Sequence, residues 1–549
     1  MRGLKISLLL AALAAPQLAS ALVFCSEGNP AGFDPALYTT STVFDASAET
    51  LFNRLVEFRK GSTEVQPGLA KSWDVADDGK VYTFHLRRGV AFHSTDYFHP
   101  SRPLEASDVV FTFARMLDKS LPFNKAFPAT FPYFDSMGMR EDILGVRAVD
   151  AQTVEFRLRR RNAPFLQNLA MSFASIQSAE YAAALLARGA ATELDTRPIG
   201  TGPFQFVGYE RDRSITYKAF GGYWNRGEIK IDTLVFLIES DPDQRLDAIR
   251  TGKCDVSAFL RPQDVDALAR QKAQLVVSQV GSNLGYIAYN VERQPLNNVL
   301  FRKALDAALD KPALVQAVYG GKARVADNGL PPTQWGYVPR AEHPAAGIAQ
   351  AKALLAKSGV KAGTTIVLWQ LPVQRAYNPN PSIMAQMIKA DWAKIGVRTE
   401  IRSFEWAEYN RRASLGQQQA MLIGWTGDNG DPDNWLGTLF TCDGIGGNND
   451  TRWCNKRYTA LIGNAKSTVS RTERLALYAE AQDILMRELP FSPIANAEIY
   501  QSVKTTVHGF VVSPFGLNSF RDVSIDEAKN GLYVGLPHHK WVFGDVSRR

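Results

Sequence analysis

Apolar and polar positions alternate along residues 81–86 (VYTFHL), which predicts a half-buried strand. Residues 150–158 repeat the pattern with Val154, Phe156 and Leu158 on one side. Behind Ser107-Asp108, the apolar positions Val109, Val110, Phe113, Met116 and Leu117 follow helical spacing and predict a capped helix. Residues 22–25 read as a buried strand that Pro30, Gly32 and Pro35 break off. Residues 45–55 look helical, residues 165–187 mostly helical, and residues 198–203 form a rigid Gly/Pro turn. Strands at 216–219 and 233–238 precede a helix at 243–252, so the two element types interleave through the first half. Residues 276–290 then make one long extended segment containing Gly281 and Gly285, a candidate crossover into a second lobe. Two helices follow in 295–319, split at Asp310-Lys311-Pro312. A strand at 366–371, a helix at 382–395 with Met384, Met387, Ile388 and Trp392 inward, and a strand at 398–404 form a β-α-β unit. Residues 471–488 predict a long helix, after which the chain crosses back near 491–501.

The N-terminus adds an address. Arg2 and Lys5 precede a short apolar run at residues 8–15, and Ala19-Ser20-Ala21 has the small-x-small form of a cleavage site. Residues 1–21 therefore read as a signal peptide cleaved after Ala21, and a soluble periplasmic protein is expected. The run is shorter than the about 20 residues that span a bilayer, and no later stretch qualifies, so no stable membrane insertion is expected. Val23-Phe24 ahead of Cys25 are too bulky for a lipobox. The length allows more than one domain. The net charge of +7 falls to +5 once Arg2 and Lys5 leave, and its charges are interspersed, which argues against a nucleic-acid partner. Four cysteines (Cys25, Cys254, Cys442 and Cys454) allow three pairings in an oxidising compartment; nearness favours Cys442–Cys454, which leaves Cys25–Cys254. A zinc site is disfavoured because no CxxC pair occurs. His85, His93, His99, His343, His508, His538 and His539 are scattered and match no metal-ligand spacing, so no metal or cofactor is expected. GxSxG, HExxH and GxxxxGK[ST] are missing, which moves weight from catalysis toward binding. Internal repeats and low-complexity stretches are likewise missing.

The densest candidate chemistry lies in residues 424–434, GWTGDNGDPDN, directly after the apolar Met421, Leu422 and Ile423. A buried strand ends there and a glycine-permitted loop begins. Carboxylates at a strand end beside Trp425 can face a cationic ligand, although Asp, Asn and Gly also make plain surface turns. This stretch, with CSEGNPAGFDP at 25–35, TEVQPGLAKSW at 63–73, PIGTGPF at 198–204 and LPVQRAYNPN at 371–380, resembles the extracellular solute-binding proteins that feed peptide and nickel ABC importers. PIGTGPF marks the broad family; RAYNP with GWTGDNGDPDN points to its dipeptide-binding branch. The likeness covers nearly the whole chain after the signal.

The resemblance implies an α/β, two-lobed periplasmic binding protein fold with a ligand cleft between the lobes. Residues 22–280 and 499–549 would form the first lobe, with a subdomain inserted near 60–200, and residues 281–498 the second. It implies the same two disulfides. It also implies a monomeric, non-enzymatic component that captures dipeptides and delivers them to inner-membrane permease subunits. A dipeptide zwitterion holds its ammonium and carboxylate at a nearly fixed separation, because each extended residue spans about 3.3–3.6 Å. Asp428 matches the family's anchor for the ammonium. Arg375 matches the anchor for the carboxylate, which its planar fork can hold bidentately. Trp425, Tyr377 and Trp406 are candidate walls, and Gly427 belongs to the same binding loop. Thr39, Thr40 and Ser41 would face them from the first lobe, either as ligand contacts or as a plain helix start. The family also carries oligopeptides, nickel, haem and glutathione, and Trp435 and residues 444–449 lie where pocket shape can differ. A haem, glutathione or oligopeptide carrier, and an exported hydrolase, stay open as alternatives.

Overall fold

The computed structural model describes residues 21–340 and 347–526. Nearly all of the expected signal peptide, His343, and the tail with His538 and His539 lie outside the described residues. One twelve-stranded sheet runs through the molecule. From one edge, Arg398–Arg402, Thr365–Trp369, Ala420–Thr426 and Asn283–Tyr289 lead to Phe491–Lys504. Val256–Ser257, Ala21–Ser26, Thr233–Ile238, Ser214–Ala219 and Phe204–Glu210 continue to the other edge.

Two lobes follow from this order, because Phe491–Lys504 belongs to both. Its first residues pair with Asn283–Tyr289, as in Gly285 opposite Ala495. Its later ones pair with Gln274–Val280 and Val256–Ser257, as in Val280 opposite Glu498 and Val256 opposite Val503. A second connection runs alongside, where Gly281 and Ser282 join Gln274–Val280 to Asn283–Tyr289. In the first lobe, Ala21–Ser26 lies parallel to Thr233–Ile238. In the second, Thr365–Trp369 is parallel to both Arg398–Arg402 and Ala420–Thr426, the predicted β-α-β unit.

A separate antiparallel sheet of Ala70–Val75, Val81–Leu86, Thr153–Leu158 and Ile143–Asp150 carries the two alternating strands read from the sequence. Its inward rings interlock with the helix Ala106–Leu117: Phe156 meets Phe84 at 5.6 Å and Phe113 at 4.8 Å, both edge to face. The disulfides Cys25–Cys254 and Cys442–Cys454 have Cα separations of 5.7 and 4.5 Å. The first sits in its own small core with Leu246, Ile249 and Leu268.

Four local readings differ from the structure. The helix expected at 45–55 is Ser41–Ala46. It stops because the Ser47 and Thr50 hydroxyls donate back to Val43 O and Ala46 O, and the chain turns. That turn receives the PIGTGPF loop: a Cβ on Gly200 would lie 1.9 Å from Leu51 O, so only glycine permits the approach. The helix over 165–187 is broken into Phe165–Leu169, the short turn Ser172–Ala174 and Ala179–Ala187. Between them Ile176 N donates to Asn53 O and Gln177 N to Thr112 Oγ1, so tertiary partners replace helical ones. The cap before Val109 is Glu105, in a reciprocal box with Asp108. Residues 276–290 are two strands, broken at Gly281-Ser282 where Ser282 O accepts from Gly427 N.

Candidate functional site

The strand Ala420–Thr426 lies between Thr365–Trp369 and Asn283–Tyr289 in the second lobe. Its end is pinned where Gly427 N donates to Ser282 O at 2.8 Å. A Cβ on Gly427 would stand 3.0 Å from Ser282 Oγ and from Trp435, so the loop lies flush against its support. The loop then turns into the helix Asp433–Phe440.

Its three aspartates have different surroundings. Asp431 is buried against Arg474 at 2.7 Å. Asp433 lies 3.8 Å from Lys466. Asp428 has no cation within ion-pair distance among the described residues. Its carboxylate accepts from the Tyr133 hydroxyl at 2.7 Å and from Asn434 Nδ2 at 3.3 Å, and its N–H donates to Asn434 Oδ1 at 3.0 Å. Burial pushes its pKa up to about 7, against the lowering effect of those two hydrogen bonds. Trp425 braces the arrangement: its indole donates to the same Asn434 oxygen at 3.1 Å, and its ring packs against both the second-lobe core and the subdomain core.

Arg375 begins a tight turn closed by Arg375 N to Asn378 O at 3.1 Å and Asn378 N to Arg375 O at 2.9 Å. Its guanidinium lies 5.1 Å over the Trp406 ring, donates to the adjacent Gln374 O at 3.2 Å and also hydrogen-bonds the Tyr377 hydroxyl. No carboxylate pairs with it among the described residues. Trp406 in turn stacks on Tyr409, so it serves as a platform under the arginine. The turn rests on the strands beneath. Tyr377 O accepts from the Tyr319 hydroxyl at 2.6 Å, and the Tyr377 ring packs so closely that a Cβ on Gly424 would lie 2.3 Å from it. Arg375 and Tyr377 are thereby seated on the strand Ala420–Thr426, two residues ahead of Asp428. On the first lobe, Thr39 and Thr40 are exposed and Thr40 makes no side-chain cap bond. Ser41 opens the helix and its hydroxyl lies 3.5 Å from Glu27 Oε1.

Sequence reasoning missed Tyr133, Asn434 and Glu27. Tyr133 comes from the inserted subdomain, and no spacing along the chain announces its contact with Asp428. Nearby contacts also join the lobes: Asn429 Nδ2 donates to Asn168 Oδ1 at 2.7 Å and Lys466 Nζ to Met137 O at 2.9 Å. The site can receive a cation at Asp428, beneath Tyr133 of the facing lobe, and an anion at the half-buried Arg375.

Residues 64–447 match the family described as bacterial extracellular solute-binding proteins, family 5 Middle. A relative from Pseudomonas aeruginosa (strain UCBPP-PA14), di/tripeptide-binding protein 1, is 53% identical over 522 residues, covering 94% of this chain and 97% of the relative. Heme-binding protein A of Haemophilus influenzae is 43% identical over 504 residues, 92% of each chain. Among solved structures, a dipeptide binding protein from pseudoalteromonas sp. SM9913 in complex with Met-Leu superposes with a TM-score of 0.86 at 35% identity, covering 92% of this chain and all of that one.

Proposed function

The chain belongs to the bacterial extracellular solute-binding proteins of family 5, and from that premise we propose that it is the substrate-binding component of an ABC importer, capturing dipeptides in the periplasm and delivering them to inner-membrane permease subunits. One observation carries the ligand class: the second lobe holds a buried carboxylate without a cation, Asp428, and a stacked guanidinium without a carboxylate, Arg375, on one strand and the turn packed over it. A dipeptide zwitterion supplies both missing charges. Its ammonium takes Asp428 and its carboxylate takes Arg375. Main-chain hydrogen bonds in the cleft grip any dipeptide and leave the side chains to roomier space.

In this reading the first lobe is residues 22–280 and 499–549 with an insertion near 60–200, and the second is 281–498. Two connections bend between them, the strand Phe491–Lys504 and the Gly281-Ser282 link, and closure brings Tyr133 over the ammonium site. The exported chain works as a monomer, and the dipeptide leaves unhydrolysed. Native mass spectrometry of freshly purified protein tests the reading directly: a co-purifying dipeptide supports it. Haem is the rival ligand, because a 43% identical relative bears the name heme-binding protein A. A haem-dependent Soret shift that Gly-Leu fails to compete would favour that rival, and amine release from Gly-Leu that scales with protein would favour a hydrolase.

A further inference from the structure

Glu27 is the first residue after the strand Ala21–Ser26, at the carboxyl end of its parallel pairing with Thr233–Ile238. Crevices outside the carboxyl ends of parallel strands are where open α/β sheets bind ligands. The pairing is closed to its end, since Glu239 N donates to Ser26 O at 2.9 Å, and Glu27 is the first side chain to leave it. Its carboxylate is short of partners. Among the described residues it has, beyond its own backbone N–H, only the Ser41 hydroxyl, 3.5 Å from Oε1, and Oε2 is sealed from solvent with no hydrogen-bond partner. Arg245 and Arg375 attract it, Arg375 from across the cleft, but neither pairs with it. Arg245 donates instead to Glu239 O at 2.7 Å and Ser240 O at 3.5 Å, and Arg375 is held over Trp406. Native proteins leave few buried polar atoms unpaired, and each exception needs a reason.

We propose that Glu27 selects the side chain of the ligand's C-terminal residue, favouring lysine or arginine over an apolar or acidic residue of similar length. The inference rests on Arg375 holding the ligand carboxylate. The side chain attached beside that carboxylate leaves the peptide within one residue of Arg375, whose charge Glu27 feels. A cation there completes the vacant oxygen. An apolar group leaves the carboxylate unpaired, and an acid repels it. At the other end Asp428 contacts the neutral Tyr133 and Asn434 and has no ion pair among the described residues, so no second acid beside it is seen to favour a basic N-terminal side chain.

Titration calorimetry with Ala-Ala, Ala-Lys, Ala-Met and Ala-Glu on the parent and on Glu27→Gln tests it. The parent should bind Ala-Lys about tenfold or more tighter than Ala-Met, with Ala-Glu weakest. In Glu27→Gln the Lys and Met peptides should come within about threefold of each other, and Ala-Glu should improve relative to Ala-Ala. Glu27→Asp, which keeps the charge, should keep the preference for Ala-Lys. The reversed pair Lys-Ala and Met-Ala should show the same ratio in parent and Glu27→Gln. An unchanged Ala-Lys to Ala-Met ratio in Glu27→Gln overturns the proposal. So does a uniform loss for all four peptides, which would make Glu27 only a support for Arg375. If the parent binds none of the four, the dipeptide reading itself falls, and this inference with it.

Discussion

Replacing Asp428 by Asn removes one charge and preserves the shape of the loop. The amide keeps an oxygen for the Tyr133 hydroxyl, and Asn434 still receives the residue 428 N–H. What disappears is the counter-charge for a buried ammonium. Removing one member of a buried charge pair costs about 2–5 kcal/mol. At 1.4 kcal/mol per decade that is roughly 30-fold to several thousand-fold in the affinity for Gly-Leu. The proton adds a second signature. Burial lifts the Asp428 pKa to about 7, so without a bound cation it is about half protonated at neutral pH. An arriving ammonium requires the carboxylate form, so binding releases a proton. Affinity should rise by up to about tenfold per pH unit as pH approaches 7 from below, then level off. Folding has the opposite sign. A carboxyl raised above its unfolded pKa of about 3.9 favours the fold when protonated, so its contribution is full below about pH 4 and is lost as pH rises through 7. Asp428→Asn should therefore raise the Tm of the empty protein at pH 8 while weakening its binding. Asp450, also pushed up to about 7 by burial, titrates in the same window, so the difference between parent and variant assigns the proton. Calorimetry from pH 5 to 9 with Gly-Leu and N-acetyl-Gly-Leu is the assay. Acetylation should hurt the parent badly and the variant little. Equal sensitivity to acetylation, or superimposable pH profiles, would reduce Asp428 to a turn residue and refute the reasoning.

Arg375→Ala should weaken Gly-Leu by a similar 30-fold to several thousand-fold, and C-terminal amidation of the peptide should then make little further difference, as calorimetry on free and amidated Gly-Leu would show. Gly424→Ala should lower both Tm and Gly-Leu affinity, the latter by about tenfold or more, because its Cβ would lie 2.3 Å from the Tyr377 ring and would dislodge the turn that carries Arg375. Removing Cys442–Cys454 by double Ala substitution should cost roughly 3 kcal/mol in a chain-entropy estimate, read by chemical denaturation. It should also weaken Gly-Leu binding beyond that stability share, since the bridge follows closely on the helix that carries Asn434.

Elements with local causes were legible in the sequence. The helix Arg471–Glu488 was readable at both ends, because Ser470 caps its start and Pro490 follows closely on its end. The helices Val299–Ala307 and Lys311–Tyr319 part where Asp310 caps the second and Pro312 opens it. What failed was set by distant partners. Ser47 and Thr50 end a helix early because residues 200–204 must dock on the turn that follows. Gln177 leaves helical geometry for a hydroxyl 65 residues away. The site divides the same way. Residue types and motif resemblance singled out Asp428 and Arg375. The fold adds the physical reason for preferring Asp428 to Asp431 and Asp433, because Arg474 and Lys466 pair with the latter two from another helix pair. Tyr133 reaches Asp428 across 295 positions of sequence, and no pattern within either segment records it.

The strand Phe491–Lys504 also governs when this chain can fold. Four other strands, Val256–Ser257, Gln274–Val280, Asn283–Tyr289 and Ala323–Val325, take it as a hydrogen-bonding neighbour. During synthesis all four emerge from the ribosome well before it does. Until residue 504 has appeared, each carries an edge with no mate, and neither lobe can complete its share of the sheet. Pairings this far apart in sequence are slow to form in any case. The sheet that joins the two lobes can therefore close only after this late C-terminal segment arrives.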